Sequence, residues 1–412
     1  MLDLPGVPAE LLLQLQHLAE GRRLALVGGA VRDGLLHREH RDPWRGLPDL
    51  DLVLEGSAPS LAEALRRQLG PERVPLLRAH GAYGTVELEV DGVLLDLASA
   101  RREYYSRPGE NPQVLPGSLE EDLARRDFSV NAMALLLGPQ DQGGPTLLDP
   151  YGGRNDLAHR ALAFLHSRSV ADDPTRVIRA ARYAARLNFA LTPAALQQVR
   201  STLSSWPWGW RLGDDPSQAP PALATRLRME LELLLERERW QAGLPRLQQW
   251  GALRLLDERM QGEPHLLRRL RWGQRLGLPL LVCLVAAAAD PIALAARLQL
   301  PKQHQRWLNQ LVLLQHWLQQ DSALASRLQW SAARWTQAIE QQRWIPEAVA
   351  LASTVVAPAD RKPLLRWWGR WRHQRSPVSA SDLLIQGWQP GPDLGRELQR
   401  QRMALLAQEP GD

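Results

Sequence analysis

The sequence predicts an α+β protein: an N-terminal region with a mixed sheet, followed by a longer region that is helical throughout. Three observations carry that expectation. Short β-type runs alternate with helical segments over residues 1–150. Asp91-Gly92, set between the β-type runs 85–90 and 93–97, is a strong hairpin signal. From about residue 155 onward the apolar residues recur at helical spacing alone. Three domains are expected: 1–150, a helical 151–235 with an insertion at 204–221, and a helical 236–412.

The elements follow in order. Residues 24–27 (Leu-Ala-Leu-Val) read as a strand, Gly28-Gly29 breaks it, and 30–37 reads as a helix. Residues 50–54 are a second strand and 58–69 a helix. Residues 102–118 hold Pro108, Gly109, Pro112, Pro116 and Gly117, so a loop is expected there. Residues 119–137 read as a helix, and 172–187 as another, with Arg176, Arg179, Arg182 and Arg186 along one face. The four prolines and two glycines of 204–221 predict a linker or surface insertion. Helix resumes over 223–240.

The chain of 412 residues carries a net charge of +5, and nearly all its positive charge is arginine, since Lys302 and Lys362 are the only lysines. A guanidinium offers a planar fork for phosphates and a flat face for bases, which suits nucleotide or nucleic-acid binding. Cys283 is the single cysteine and lies in an apolar run, so no internal disulfide forms and an inert core thiol is expected. No Cys/His spacing suggests zinc, and no apolar run reaches the length of a membrane span. No basic stretch followed by an apolar core marks a leader. A cytoplasmic protein with no membrane association and no stable protein partner is expected.

Two motifs carry chemistry. Gly28 and Gly29 stand between a strand and a helix. Glycines let the backbone approach a phosphate, and the free N–H groups of a helix start favour an anion. Arg32, one turn in, is expected to reach the same phosphates. No Gly-Lys-Ser/Thr follows, so this is not a Walker loop. Next, Pro48-Asp-Leu-Asp-Leu-Val-Leu54 places Asp49 and Asp51 on one strand face and Leu50, Leu52 and Leu54 on the other. Two carboxylates held together repel unless a cation lies between them, and hard oxygen ligands select Mg²⁺ or Mn²⁺. Asp96 is the candidate third carboxylate, with Glu87 and Glu89 as alternatives.

Gly-Gly-x-Val-Arg-Asp followed by Asp-Leu-Asp resembles the head of the DNA polymerase β superfamily, and more narrowly the class II tRNA nucleotidyltransferase and bacterial poly(A) polymerase family. The resemblance covers roughly residues 20–235. It implies a polymerase-β-like nucleotidyltransferase head with an all-α neck, body and tail. It further implies that Arg125 and Arg126 contact the triphosphate, that Asp127 accepts from the ribose 2′-hydroxyl, and that Asn131 belongs to the same nucleotide site. Asp149-Pro-Tyr-Gly-Gly153 is similar to the family's hinge. Asp172-Asp-Pro-Thr-Arg-Val-Ile-Arg179 is similar to its base-reading motif, with Asp173, Arg176 and Arg179 at the nucleotide and Asp172 where the family has Glu. Cytosine and adenine both present an amino donor beside a ring-nitrogen acceptor, so a carboxylate and a guanidinium accept both; uracil and guanine reverse both polarities. Arg226 and Glu230, on a helix where Thr225 replaces the usual Glu, are expected only to brace the neck.

The activity implied is addition or repair of the 3′ CCA end of tRNA from CTP and ATP, with Mg²⁺ and release of pyrophosphate. Asp49 and Asp51 are the implied metal ligands, and the Arg- and Trp-rich C-terminal helices the implied tRNA grip. An enzyme adding only CC or only A, or a poly(A) polymerase, shares the same head. The 102–118 segment lies where the resemblance places an element needed for A addition, which speaks against CC-only addition.

Overall fold

A seven-stranded mixed sheet organises the N-terminal region of the computed structural model, which describes residues 7–46, 50–81, 84–138, 145–320, 327 and 329–409. The expected metal ligand Asp49 lies outside the described residues. Two compact units are present: Met1–Arg211 with Pro220–Leu234 and Glu238–Ala252, and Leu212–Ala219 with Leu235–Arg237 and Leu253–Asp412.

In the first unit the chain runs α1 (Ala9–Leu18), β1 (Leu24–Val27), α2 (Gly29–His40), β2 (Leu50–Leu54), α3 (Ala58–Leu69), β3 (Leu76–His80), β4 (Thr85–Val90) and β5 (Val93–Ser99). It continues through β6 (Arg101–Tyr104), β7 (Gln113–Pro116), α4 (Leu119–Ala124), β8 (Ala134–Leu136) and β9 (Thr146–Leu148). Then come α5 (Gly153–Ala158), β10 (Ala161–Leu162), α6 (Ser169–Asp172), α7 (Thr175–Leu187), β11 (Ala190–Leu191), α8 (Pro193–Ser205), α9 (Thr225–Arg237) and α10 (Trp240–Trp250).

The sheet order is β3-β4-β5-β2-β1-β8-β9. Only β2 and β5 are parallel; the other neighbours are antiparallel. Leu24, Leu26, Leu50, Leu52 and Leu54 are buried on the face that α2 and α3 cover. Ala25, Val27, Val53 and Ala134 pack on the other face with Leu119 and Leu123 of α4. Burying each of these leucines and valines stabilises by about 1.5–3 kcal/mol. The Asp91-Gly92 turn has φ of 50° and 81°, the two positive values of a type I′ hairpin, as its sequence predicts.

Three expectations are corrected. Residues 102–118 are not all loop: β6 and β7 pair antiparallel in a two-stranded hairpin from Arg101↔Pro116 to Tyr104↔Gln113. The helix expected over 119–137 ends at Ala124, and 134–136 is instead strand β8, paired to β1 and β9. The apolar run 132–137 suits a buried strand as well as a helix, and pairing decides it. The helix expected over 172–187 is two helices, because Asp173 between them is extended at φ −143°, ψ 94°. Pro174 is the cause: its ring disfavours a helical residue before it.

The second unit is helical, with Leu266–Arg275, Leu280–Val285, Pro291–Arg297, Lys302–Gln319, Ala332–Gln341, Pro346–Val355, Pro358–Gly369 and Pro392–Ala407 among its helices. Cys283 is buried there, and burial pushes its thiol up to about 12, which keeps it protonated and inert. No described helix is long and apolar enough to cross a membrane.

Candidate active site

A cavity of 830 Å³ opens on the α4 side of the sheet in the first unit. One end is built from the β1–α2 turn and the strand pair β2/β5; the other from α7 and α9; the β6–β7 hairpin closes a side.

The strand end comes first. The parallel register sets Asp51 directly beside Asp96, and the antiparallel register sets Asp96 beside Glu87. All three line the cavity, whereas Glu89 does not. Gly28 has φ 68°, and a Cβ there would sit 3.1 Å from Asp51 Oδ2 and 3.2 Å from Arg126 Nη1. Only glycine lets the backbone come so close to both groups. Carboxylate oxygens on a polar wall are the donor set for a hard divalent cation, so Asp51 and Asp96 fit one. Among the described residues no three His, Cys, Asp or Glu side chains form a metal-binding group.

Next along the wall stand Arg125 and Arg126. The capping box of Ser118 and Glu121 starts α4, which delivers Asp122 to a fully buried position. Asp122 then holds Arg125 at 2.7 Å and Arg126 at 3.0 Å, and Glu103 of β6 holds Arg125 at 3.2 Å. Both guanidiniums are thus oriented before any ligand arrives, at a point where a polyphosphate would meet them.

At the helical end, charge is dense and buried. Asp127 faces Arg176 Nε and Arg179 Nε, each at 3.1 Å. Asp173 is 1% exposed. It accepts from Thr175 N at 3.0 Å, Thr175 Oγ1 at 2.6 Å and Arg179 Nη2 at 2.8 Å, and it pairs with Arg226. Burial alone would raise the Asp173 carboxyl, but the guanidiniums of Arg179, Arg226 and Arg176 outweigh it and hold it below the usual carboxylate range. Burial likewise works against the Arg179 charge, yet Asp127, Asp173 and Glu230 raise its proton affinity overall. Arg176, 2% exposed, also donates to the carbonyls of Ser169 and Arg125. Because Asp173 sits at the α6–α7 break, Asp173 and Arg176 reach the same cavity across that break, not along one helix as expected.

The cavity therefore brings together Gly28, Gly29, Asp51, Asp96, Arg125, Arg126, Asp127, Asn131, Asp173, Arg176 and Arg179. Arg32 is the exception. Its guanidinium is buried, paired with Asp33 at 2.8 and 2.9 Å, and bonded to Asn131 Oδ1 at 2.8 Å, and it is not on the cavity wall. Sequence reasoning also missed members. Arg226, read as a brace, lines the cavity and pairs with Asp173. Tyr105, from the hairpin, lines it too, and burial followed by the Asp173 charge raises its phenol. The Arg226 position was visible in the sequence; its reach to Asp173 was not, because the two are 53 residues apart.

Residues 24–163 match the Poly A polymerase head domain. A CC-adding tRNA nucleotidyltransferase of Deinococcus radiodurans is 41% identical over 283 residues, which is 67% of this chain and 67% of that protein. An A-adding tRNA nucleotidyltransferase of Aquifex aeolicus is 40% identical over 240 residues, 58% of this chain but 26% of that longer protein. The Thermotoga maritima CCA-adding enzyme in complex with tRNA superposes with a TM-score of 0.67 at 22% identity, covering 100% of this chain and 95% of that one, and so shares its fold.

Proposed function

The chain belongs to the class II tRNA nucleotidyltransferase and bacterial poly(A) polymerase family, and from that premise we propose that it adds or repairs the 3′ CCA end of tRNA from CTP and ATP without a nucleic-acid template. The observation that carries this is a single cavity with metal-type carboxylates at one end and a buried carboxylate–guanidinium group at the other. That spacing of functions suits a nucleotide: triphosphate to the strands, base to the helices.

The 3′-oxygen of the tRNA attacks the α-phosphorus, the bond from that phosphorus to pyrophosphate breaks, and the hydroxyl proton is lost to solvent. Gly28, Gly29, Arg125 and Arg126 cradle the triphosphate, with Arg32 acting through Asn131. Asp127, held by Arg176 and Arg179, accepts from the ribose 2′-hydroxyl, and a deoxynucleotide forfeits that hydrogen bond. Asp173 and Arg176 read the base edge, and Arg179 and Arg226 hold Asp173 for that task. Asp51, with Asp49 and Asp96, would hold Mg²⁺. When bound there it supplies a lower pKa for the attacking hydroxyl and charge neutralisation for the leaving group. The domains are proposed as head 1–150, base-reading neck 151–235 and tRNA-binding body and tail 236–412, in a cytoplasmic enzyme.

One observation favours a narrower second reading. The Deinococcus relative, similar over two thirds of both chains, is CC-adding, so CC-only addition stands as the alternative. A single assay separates the two. Purified protein receives tRNA ending before CCA, after C and after CC, with one labelled nucleotide at a time and Mg²⁺. CTP on the first two and ATP on the third is the expected result. CTP alone selects the narrower reading, and no incorporation on any substrate overturns both.

A further inference from the structure

We infer that Trp208 and Gly109 form a latch that positions the base-reading carboxylate of Asp173, and so set how well this chain distinguishes cytosine from uracil. The inference rests on the reading of Asp173 as the group that meets the base.

The geometry is local and specific. Helix α6 ends at Asp172, so the carbonyls of Ala171 and Asp172 are helix-end acceptors with no partner in a continuing turn. Two groups from elsewhere in the chain satisfy them. The Trp208 indole Nε1 donates to Ala171 O at 2.8 Å, and the Gly109 amide donates to Asp172 O at 3.1 Å. The residue that follows is Asp173. Its backbone is thus tied just upstream by the insertion and the hairpin, while its carboxylate is tied by Thr175, Arg179 and Arg226.

The two capping groups also fix each other. Gly109 has φ +79°, and a Cβ there would lie 2.9 Å from Trp208 Cδ1 and 3.2 Å from Pro220 Cβ. Gly109 O in turn accepts from Ala222 N at 3.0 Å. Trp208 is 1% exposed, stacked edge-on against Trp206. Glu110 O, one residue further along, accepts from Arg226 Nη1 at 3.4 Å, and Arg226 is itself paired with Asp173. The segment expected to be a surface insertion is in this stretch an internal support. Hydrogen bonds to a base edge tolerate little displacement, so a carboxylate freed by a few tenths of an ångström loses discrimination before it loses binding.

Trp208→Phe keeps an aromatic ring but removes the indole donor together with part of the buried ring volume, which is why stability is read alongside; Gly109→Ala drives a methyl into the ring at a left-handed backbone position. The measurement is kcat/KM for CTP against UTP on tRNA ending before CCA, with Kd for both nucleotides from calorimetry as a second readout of the same ratio. Both variants are expected to lower the CTP:UTP ratio by about fivefold, mainly through KM for CTP, with kcat on CTP within about twofold of wild type. Asp173→Asn runs alongside. If the ratio is unchanged in both latch variants, or if kcat and stability fall with the ratio intact, the latch is overturned while an altered ratio in Asp173→Asn leaves base reading standing. If Asp173→Asn itself keeps the wild-type ratio, the reading beneath the latch falls, and the latch with it.

Discussion

Asp173 shows how a single charge is governed by its surroundings. Its carboxyl is buried, which favours the neutral form, yet three guanidiniums hold it ionised. A carboxyl whose folded value lies below its unfolded one stabilises the fold above the unfolded value, about 3.9, and loses that contribution as pH falls through the depressed one. Asp173→Asn is therefore expected to destabilise by about 3 kcal/mol at neutral pH, because it takes one carboxylate from a buried cluster in which Arg176 and Arg179 keep Asp127 and Glu230 as carboxylate partners. Thermal melts should show the gap constant above about pH 5 and shrinking below about pH 4. A gap that instead widens in acid would contradict the assignment. At the opposite end of the cavity, Asp51→Ala is expected to lower nucleotide incorporation by roughly 10²–10³-fold or more, measured with saturating Mg²⁺. It should leave the melting curve near that of wild type. In the sequence, chemistry and spacing coincide at these positions: Asp49 and Asp51 alternate, and Asp173 precedes Arg176 by three. Arg226 and Tyr105 were not legible, since their roles come from contacts across 53 residues and from a hairpin read as loop.

Elements were legible where local rules bind tightly. The helix 58–69 follows from Ser57, which caps Ser60 N, and from a proline in the first turn. The β4–β5 hairpin follows from Asp91-Gly92. Where tertiary pairing decides, the pattern misled. Residues 134–136 are apolar and unbroken, which suits either element, and only their place between β1 and β9 makes them a strand. The α6–α7 break was signalled by Pro174, but the arginine periodicity on its C-terminal side masked it. The β1–α2 turn carries a prediction at this scale. Gly28→Ala puts a methyl 3.1 Å from Asp51 Oδ2 at φ 68°. It should cost roughly 1–2 kcal/mol of backbone strain and raise KM for both CTP and ATP, as the proposed triphosphate role of the turn requires. An effect on one nucleotide alone would argue against that placement.

Over the whole molecule, 50 Lys and Arg against 45 Asp and Glu give a net charge of +5; each internal ion pair takes up one charge of either sign and leaves that excess in place. The remainder is available for phosphates. Binding of tRNA should accordingly weaken with salt, with a slope of log K against log salt of roughly −3 or steeper. The slope should be unchanged in Asp51→Ala, which removes no basic contact. A flat salt profile would remove RNA phosphates as the principal contact.

The central claim is that protein side chains, not a template, choose the base, and the double variant Asp173→Asn/Arg176→Gln tests it most directly. Side-chain amides present either a donor or an acceptor to the same base edge. The measurement is the CTP:UTP ratio of kcat/KM on tRNA ending before CCA, with nucleotide Kd values where turnover is low. The account predicts that the ratio collapses to within about tenfold of unity. A double variant that still binds nucleotide and keeps the wild-type ratio would contradict it.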